Sequence, residues 1–364
     1  MKFSKNEIIN HIKKIRREIG HADSEINIKE LSFNPEKNEL WIITLDRPDK
    51  SAIIGKGGWV VGKLKEKLDL NKIHVESYSD HILKKYQMEL SLNSLNSFLS
   101  NYPRETIPLN NLKELLEEKI NNIYNFDINS YFKNQENREA NDHQVNIAIE
   151  SNDYQAIVAL SGGVDSSFSL IIAKYLGFNP IAITIDPGTI ILPNQFKYNI
   201  NKLCKELNVP HQYLTVDYED TIKNSLNGKF HPCGRCSNST EEKLFEIGAK
   251  KDIDIVIFGD MLSTGSQCIT KKDIITEDIK RTKTIARLNL PAALSIGKEE
   301  IKNLVNSYNL NTIKGFGCPL LYEVHKKYPY MRKFSIQRIL RETRSGALEP
   351  GQALDLIWSF YKLE

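Results

Sequence analysis

The chain has 364 residues, 40% of them hydrophobic and 26% charged, and carries a net charge of +3. That length allows two or three domains and a sizeable core, while so small an excess of charge names no nucleic-acid partner, so that argument must come from where the basic residues lie. No apolar run approaches the roughly 18 residues of a membrane helix, and the amphipathic segment Met1–Gly20 lacks a signal-peptide core, so a cytoplasmic protein with no membrane partner is expected. Five cysteines, an odd number with one C-x-x-C pair, suggest ligands or reactive thiols more than disulfides in a reducing compartment.

Ile8, Ile9, Ile12, Ile15 and Ile19 recur at helical spacing, and two strands follow, Glu25–Phe33 and Glu39–Leu45, parted by the turn Asn34–Asn38. Next come a short apolar stretch, Ser51–Ile54, the glycine loop Gly55-Lys56-Gly57-Gly58, a helix over Trp59–Leu68 and a strand over Lys72–Ser77. The order α-β-β-α-α-β, with G-x-x-G between the last two helices, resembles a type II KH domain over residues 1–79. That resemblance implies an RNA-binding loop at Gly55, Lys56, Gly57 and Gly58, where glycines let a nucleic-acid backbone approach and Lys56 adds charge. A small α+β accessory domain is the plainer alternative. Residues 80–151 read as a helical connector (Asp80–Asn125) running into an asparagine-rich linker (Asn121–Asp153).

An apolar run, Ala156–Leu160, then gives way to Ser161-Gly162-Gly163-Val164-Asp165-Ser166-Ser167 and a helical stretch, Phe168–Leu176. Strand, glycine turn and helix together hold an anion well. The glycines admit the ligand to the backbone, the helix start offers free N–H groups, and the serines add hydroxyl donors. The string is not a Walker A loop, whose lysine it lacks, and this points away from simple γ-phosphate transfer. A turn with helix-capping serines is the bland alternative. The residues match the S-G-G-x-D-S signature of the PP-loop ATP pyrophosphatases, and the resemblance implies cleavage between the α and β phosphates with adenylation of a substrate.

Beyond the loop, Pro180–Ile185, His211–Val216 and Asp254–Gly259 read as strands, alternating with helices over Asn194–Leu207, Asp217–Leu226 and Glu241–Lys250. Short apolar strands alternating with helices indicate an α/β fold, a doubly wound parallel sheet, here assigned to a domain over 152–324. Ligands of such sheets bind beyond the carboxyl ends of the strands. Asp186, Gly259 and Asp260 should therefore join the loop residues Ser161 to Ser167 at an ATP site, with Asp165 as the catalytic carboxylate that binds or positions Mg²⁺.

His231-Pro232-Cys233-Gly234-Arg235-Cys236 reads as a turn between helices, and Cys318 lies in a second turn, Gly315–Pro319. Three thiols on loops make a candidate metal site with one position open. A PP-loop followed by C-x-x-C and one late cysteine resembles the cluster-dependent tRNA thiolation enzymes, chiefly the 2-thiouridine synthetases. The resemblance implies an iron–sulfur cluster, of 4Fe-4S type, on Cys233, Cys236 and Cys318; structural zinc with His231 as fourth ligand and a redox dithiol are the alternatives. Cys204 is read as a buried core thiol. The run Phe258–Gln267 resembles the 4-thiouridine synthases instead, and the G-H-N-x-D-D type sequence of the 2-thiouridine enzymes is absent from it.

The last segment, 325–364, is a basic helical tail. Between His325 and Arg344, seven lysines and arginines stand against the single acid Glu342, and Arg338, Arg341 and Arg344 are expected on one helix face opposite Ile336, Ile339 and Leu340. That face suits phosphate contacts from RNA, with a solvated surface helix as the alternative. The expected activity is that of an ATP-dependent tRNA sulfurtransferase: tRNA and a sulfur donor, sulfide or a sulfur-carrier protein, as partners, ATP, Mg²⁺ and the cluster as cofactors, and a homodimer allowed for. A PP-loop ligase using an amine nucleophile and a zinc-stabilised RNA-binding protein are the rival readings.

Overall fold

A computed structural model describes residues 3–102, 106–124, 126–132, 154–262, 265–276, 281–311 and 316–362. Most of the expected linker (125 and 133–153), together with Ser263, Thr264 and Gly315, lies outside the described residues. The chain divides into two compact units, Met1–Tyr86 and Gln87–Glu364.

The first unit runs α1 (Lys5–Glu18), β1 (Ile28–Asn34), β2 (Glu39–Thr44), α2 (Arg47–Ile54), α3 (Trp59–Leu68) and β3 (Lys72–Ser77), the order read from the sequence. Ser4 starts α1 with a capping box: its hydroxyl accepts from the Glu7 amide while the Glu7 carboxylate accepts from the Ser4 amide. The middle strand β2 pairs antiparallel with β1 and parallel with β3. Ile8, Ile12 and Ile15 of α1 close over Leu40 and Ile42 of β2, with Ile53, Val60 and Leu64 completing a fully apolar core. The first strand begins at Ile28, later than the expected Glu25.

Helices α4 (Tyr78–Ser100) and α5 (Ile107–Asn121) follow. Residues 80–121, expected as a connector, supply Met88, Leu95, Phe98, Leu109, Leu112, Leu115 and Leu116 to the main core of the second unit. Its six-stranded sheet has the order β6-β5-β4-β7-β9-β8. These strands are β4 (Gln155–Ala159), β5 (Asn179–Asp186), β6 (His211–Thr215), β7 (Ile255–Phe258), β8 (Ile269–Thr276) and β9 (Arg281–Asn289). All neighbours pair in parallel except the β8–β9 hairpin, a pair for which the sequence suggested no element.

Alternate residues of β4 serve opposite faces, as a pleated strand requires. Ala156, Val158 and Leu160 face the larger core, which includes Phe168, Ile171 and Ile172 of α6 (Val164–Tyr175), whereas Ile157 joins Leu244 and Phe245 of α9 (Pro232–Lys250) on the other side. Between β4 and β5 lie α6 and the chain reversal that follows it, while α7 (Asn194–Glu206) and α8 (Glu219–Leu226) flank β6. The order reverses at β4, so its two neighbours, β5 and β7, leave a crevice at their carboxyl ends. After β9 come α10 (Leu290–Ala293), α11 (Lys298–Asn306), α12 (Pro319–Lys327), α13 (Arg332–Arg344) and α14 (Pro350–Ser359).

Candidate functional site

The glycine–serine loop sits at that crevice, between β4 and α6. Thr184 pins the strand end before it, its hydroxyl donating to the Leu160 carbonyl at 2.6 Å. Gly162 holds φ +77°, and a Cβ there would lie 2.8 Å from the Phe196 carbonyl oxygen, so only glycine fits. Gly163 is extended and caps α6. Ser166 closes the loop on itself: its hydroxyl accepts from the Ser161 amide (3.1 Å), meets the Ser161 hydroxyl (3.0 Å) and donates to the Gly163 carbonyl (3.0 Å). Ser167 is buried, with its amide on the Gly163 carbonyl, so Ser161 and Val164 form the exposed lip of the loop. The helix therefore begins at Val164, four residues earlier than the sequence reading, because the polar string itself supplies the first turn.

Gly259 follows β7 and packs against that turn. A Cβ on it would come within 2.8 Å of the Ser166 nitrogen, so its role in this arrangement is close approach of strand end to helix. Asp165 points one oxygen at the ammonium of Lys298, at the start of α11, while its other oxygen is buried with no hydrogen-bond partner. A single unpaired carboxylate oxygen beside an anion-binding loop suits Mg²⁺, a cation held by one or two carboxylates together with substrate phosphates. Asp186 is engaged by Lys197 at 2.5 Å and accepts from the Gly188 amide at 3.1 Å. Asp260 accepts from the Leu262 amide at 2.8 Å and lies 3.7 Å from Arg287, which also bonds Glu241 and covers the Phe258 ring.

Cys233 and Cys236 do not lie in a turn. Pro232 opens α9, since proline is well suited to the first helical position, and the two thiols stand three apart on its first turns. Cys318 caps α12. Its position is set by packing: Leu320 and Val324 of α12 join Met331, Ile190, Ile191, Ile222 and Leu226, and the Leu320 amide donates to the Ile190 carbonyl at 2.9 Å. Burial favours the protonated form of all three thiols. Burial pushes Cys233 up to about 12 and Cys236 up to about 11, with Cys318 adding to both, and burial raises Cys318 as well.

The three are therefore electrostatic neighbours, yet among the described residues no group of three or more His, Cys, Asp or Glu side chains could hold a metal ion. The donor set fits a soft metal or cluster by its chemistry, three thiols drawn from two helix starts, whereas their arrangement is not that of an assembled site. His231, the alternative zinc ligand, directs Nε2 to Ser335 at 3.2 Å. Ser335 in turn meets His325 Nε2 at 3.2 Å, so two imidazoles are joined through one hydroxyl behind the thiols. Burial, with His231 and Arg332 adding, lowers His325 to about 4.

The tail helix α13 differs from its expected amphipathy. Its buried stripe is Arg332, Ser335, Ile339 and Glu342, while Leu340 is exposed. Glu342, on that inward stripe, accepts from Arg338 Nε at 3.0 Å. Arg338 also lies over the Phe316 ring at 5.8 Å, beside the segment carrying Cys318. Burial works against its charge and Glu342 more than offsets this; the fields of Cys233 and Asp165 act in the same sense as Glu342. Arg338, Arg341 and Arg344 are all exposed, with about half of the Arg338 side chain (49%) in water. Lys298 and His325 were both missed from sequence, the first because an isolated G-K dipeptide has no motif.

In the first unit, Gly55, Gly57 and Gly58 all take positive φ (71°, 64° and 77°), giving the loop a backbone that side chains resist. Lys56 lies within it and Trp59 follows it. Among the described residues no helix is long and apolar enough to cross a membrane.

The second unit defines the class: a doubly wound α/β protein with a glycine–serine loop at the switch point of its sheet. The chain belongs to the family of the uncharacterized protein MJ1638 of Methanocaldococcus jannaschii, with 35% identity over 190 residues, 52% of this chain and 68% of that protein. It is also 24% identical to MJ1599 of the same organism over 150 residues, 41% of this chain and 52% of that one. No protein-family profile matches the chain. Among solved structures it is similar to the U34-tRNA thiolase NcsA from Methanococcus maripaludis with its 4Fe-4S cluster (TM-score 0.34, 17% identity, 58% of this chain and 73% of that one). An NMN synthetase from Francisella tularensis is similar at TM-score 0.34 and 14% identity, over 58% of this chain and 84% of that one. An NH3-dependent NAD synthetase from Campylobacter jejuni follows at 0.30 and 17%, over 59% and 87%.

Proposed function

We propose that the second unit binds ATP at the Ser161–Ser167 loop and adenylates a uridine of tRNA, which sulfur then modifies. The observation that carries the reading is the mouth of the loop: the exposed Ser161 on one side, and Asp165 with one oxygen on Lys298 and the other unpartnered. Loop amides and the Ser161 hydroxyl take up charge on the phosphates, and Lys298 offsets the negative charge that Asp165 would otherwise add there. The uridine carbonyl oxygen attacks the α-phosphorus, forming a C–O–P link as the bond to the β-phosphate breaks and pyrophosphate leaves. Sulfur, brought as sulfide or by a carrier protein, adds to the same carbon, and the C–O bond breaks to release AMP. Mg²⁺ on Asp165 would supply charge neutralisation to the phosphates, and a 4Fe-4S cluster on Cys233, Cys236 and Cys318 would supply a sulfur-binding position. The loop Gly55–Gly58 and Arg338, Arg341 and Arg344 are proposed as RNA contacts.

Pyrophosphate release from ATP by anaerobic protein, with and without tRNA, tests the first half-reaction, and mass spectrometry of the tRNA nucleosides tests the second. A tRNA-dependent burst with a thiouridine product supports the reading; release coupled to an amine adduct would move the protein to the amine-using ligases, and no release would remove both.

A further inference from the structure

The first unit holds an aromatic side chain in a place where packing does not account for it. Trp59 opens α3, whose buried residues are Val60 and Leu64, and 65% of the Trp59 surface is in water. Its indole borders a cleft lined by Ile19, His21, Lys56, Gly57, Trp59 and Lys63, a lining with two lysines and no acid. Gly57 backs the ring: a Cβ on it would stand 3.5 Å from the indole Cδ1, so the glycine lets the loop backbone lie against that edge. Lys63 is one helical turn beyond Trp59 and therefore on the same side of α3. An exposed flat ring in a cleft lined by two lysines matches an unpaired base and its flanking phosphates, since every base has a face to stack and every linkage an anion to neutralise.

We infer that this cleft takes an unpaired RNA base, stacked on Trp59, with Lys56 and Lys63 on the neighbouring phosphates. The choice of RNA rests on the tRNA reading above; the stacking itself does not depend on the chemistry of the second unit.

The test uses the full chain without ATP. Binding of a uridine-rich RNA oligonucleotide is measured by fluorescence anisotropy at several salt concentrations, for the wild type and for Trp59→Phe, Trp59→Ala, Lys56→Ala with Lys63→Ala, and Trp358→Ala as a control at another exposed tryptophan. Expected is a graded loss, small for Phe and about tenfold or more in Kd for Ala, with the salt slope kept; the lysine pair should instead lower the slope by about 1.4, at about 0.7 per phosphate contact on a single strand. Trp358→Ala should change neither. The inference is overturned by equal affinity of wild type and Trp59→Ala, by absence of oligonucleotide binding, or by Trp59-dependent binding to anionic lipid vesicles with none to RNA. Because no ATP is present, loss of pyrophosphate release in a separate assay would sink the adenylation reading and leave this one standing, and the converse also holds.

Discussion

Replacing Lys298 by Met should expose how the loop carboxylate is held. Asp165 and Lys298 are only 23% and 14% exposed, and the second Asp165 oxygen is buried without a partner, so the variant leaves a carboxylate with neither oxygen bonded. Breaking a fully buried pair costs about 3–5 kcal/mol, and the remaining exposure recovers part of that, leaving about 2 kcal/mol here. For a unit the size of Gln87–Glu364 this lowers the melting midpoint by about 3 °C. Asp165→Asn combined with Lys298→Met removes both charges and should recover most of the loss, a coupling of over 1 kcal/mol in a double-mutant cycle. Calorimetry on the four proteins gives the coupling, and pyrophosphate release on the same samples separates fold from chemistry: Asp165→Asn and the double variant should both be inactive although the latter melts near the wild type. Strictly additive melting shifts would refute the pairing argument.

Gly162→Ala, forced to place a methyl 2.8 Å from the Phe196 carbonyl at φ +77°, should cost about 2 kcal/mol or more. Gly163→Ala, whose Cβ meets nothing nearer than the Ser161 hydroxyl at 3.6 Å, should fold normally and weaken ATP; equal stabilities in urea would contradict the loop geometry. Alanine at any one of Cys233, Cys236 or Cys318 should remove bound iron and sulfide, or zinc, from anaerobic protein, and a single variant that keeps its full metal content excludes that thiol as a ligand. His325, lowered from 6.5 to about 4 by burial, stays neutral in the folded chain while the unfolded chain takes up a proton. Stability should fall as pH drops through 6.5 and the loss should be complete near 4, at most about 3 kcal/mol. In His325→Asn the urea midpoint should vary less across that interval than in the wild type, so parallel curves would argue against it.

The sequence was most legible where a short polar string sits between apolar runs. The strand–loop–helix at 155–175 and the parallel strands through Ile257 could be read because buried strands are short, apolar and bounded by glycine or proline. The β8–β9 hairpin was not, since Ile269–Thr276 alternates lysine, aspartate and isoleucine as an edge strand does, without a turn signal of the Asn-Gly type between the strands. Pro232 was a legible helix start that lost out to the glycine and cysteines beyond it. The tail shows the limit of periodicity: Arg338 and Leu340 both lie exposed, while the inward stripe takes Arg332, Ser335 and the carboxylate Glu342 beside Ile339, polar choices that hydrophobic spacing does not anticipate. Lys298 could have been found only by asking which cation answers Asp165.

The thiols and the phosphate loop are separate in sequence, and Arg338 of the tail lies within electrostatic reach of both, although water around its half-exposed side chain screens the two interactions. Arg338 lowers the Cys233 thiol against the push of burial and of the other cysteines, and its own charge is favoured in turn by Cys233 and Asp165. Reciprocity follows from linkage: any event that adds negative charge at Asp165 or Cys233 strengthens the hold on Arg338, and any that neutralises either one loosens it. Glu342 bonds the same guanidinium from the protein side, so the arginine is held in place whichever partner is charged. Phe316 beneath that guanidinium precedes Cys318 by two residues, and Leu320 after it is bonded to Ile190, in the segment that follows Asp186. The same short stretch therefore sets where the third thiol stands and ties it, through one backbone hydrogen bond, to the segment that follows the strand end beside the loop.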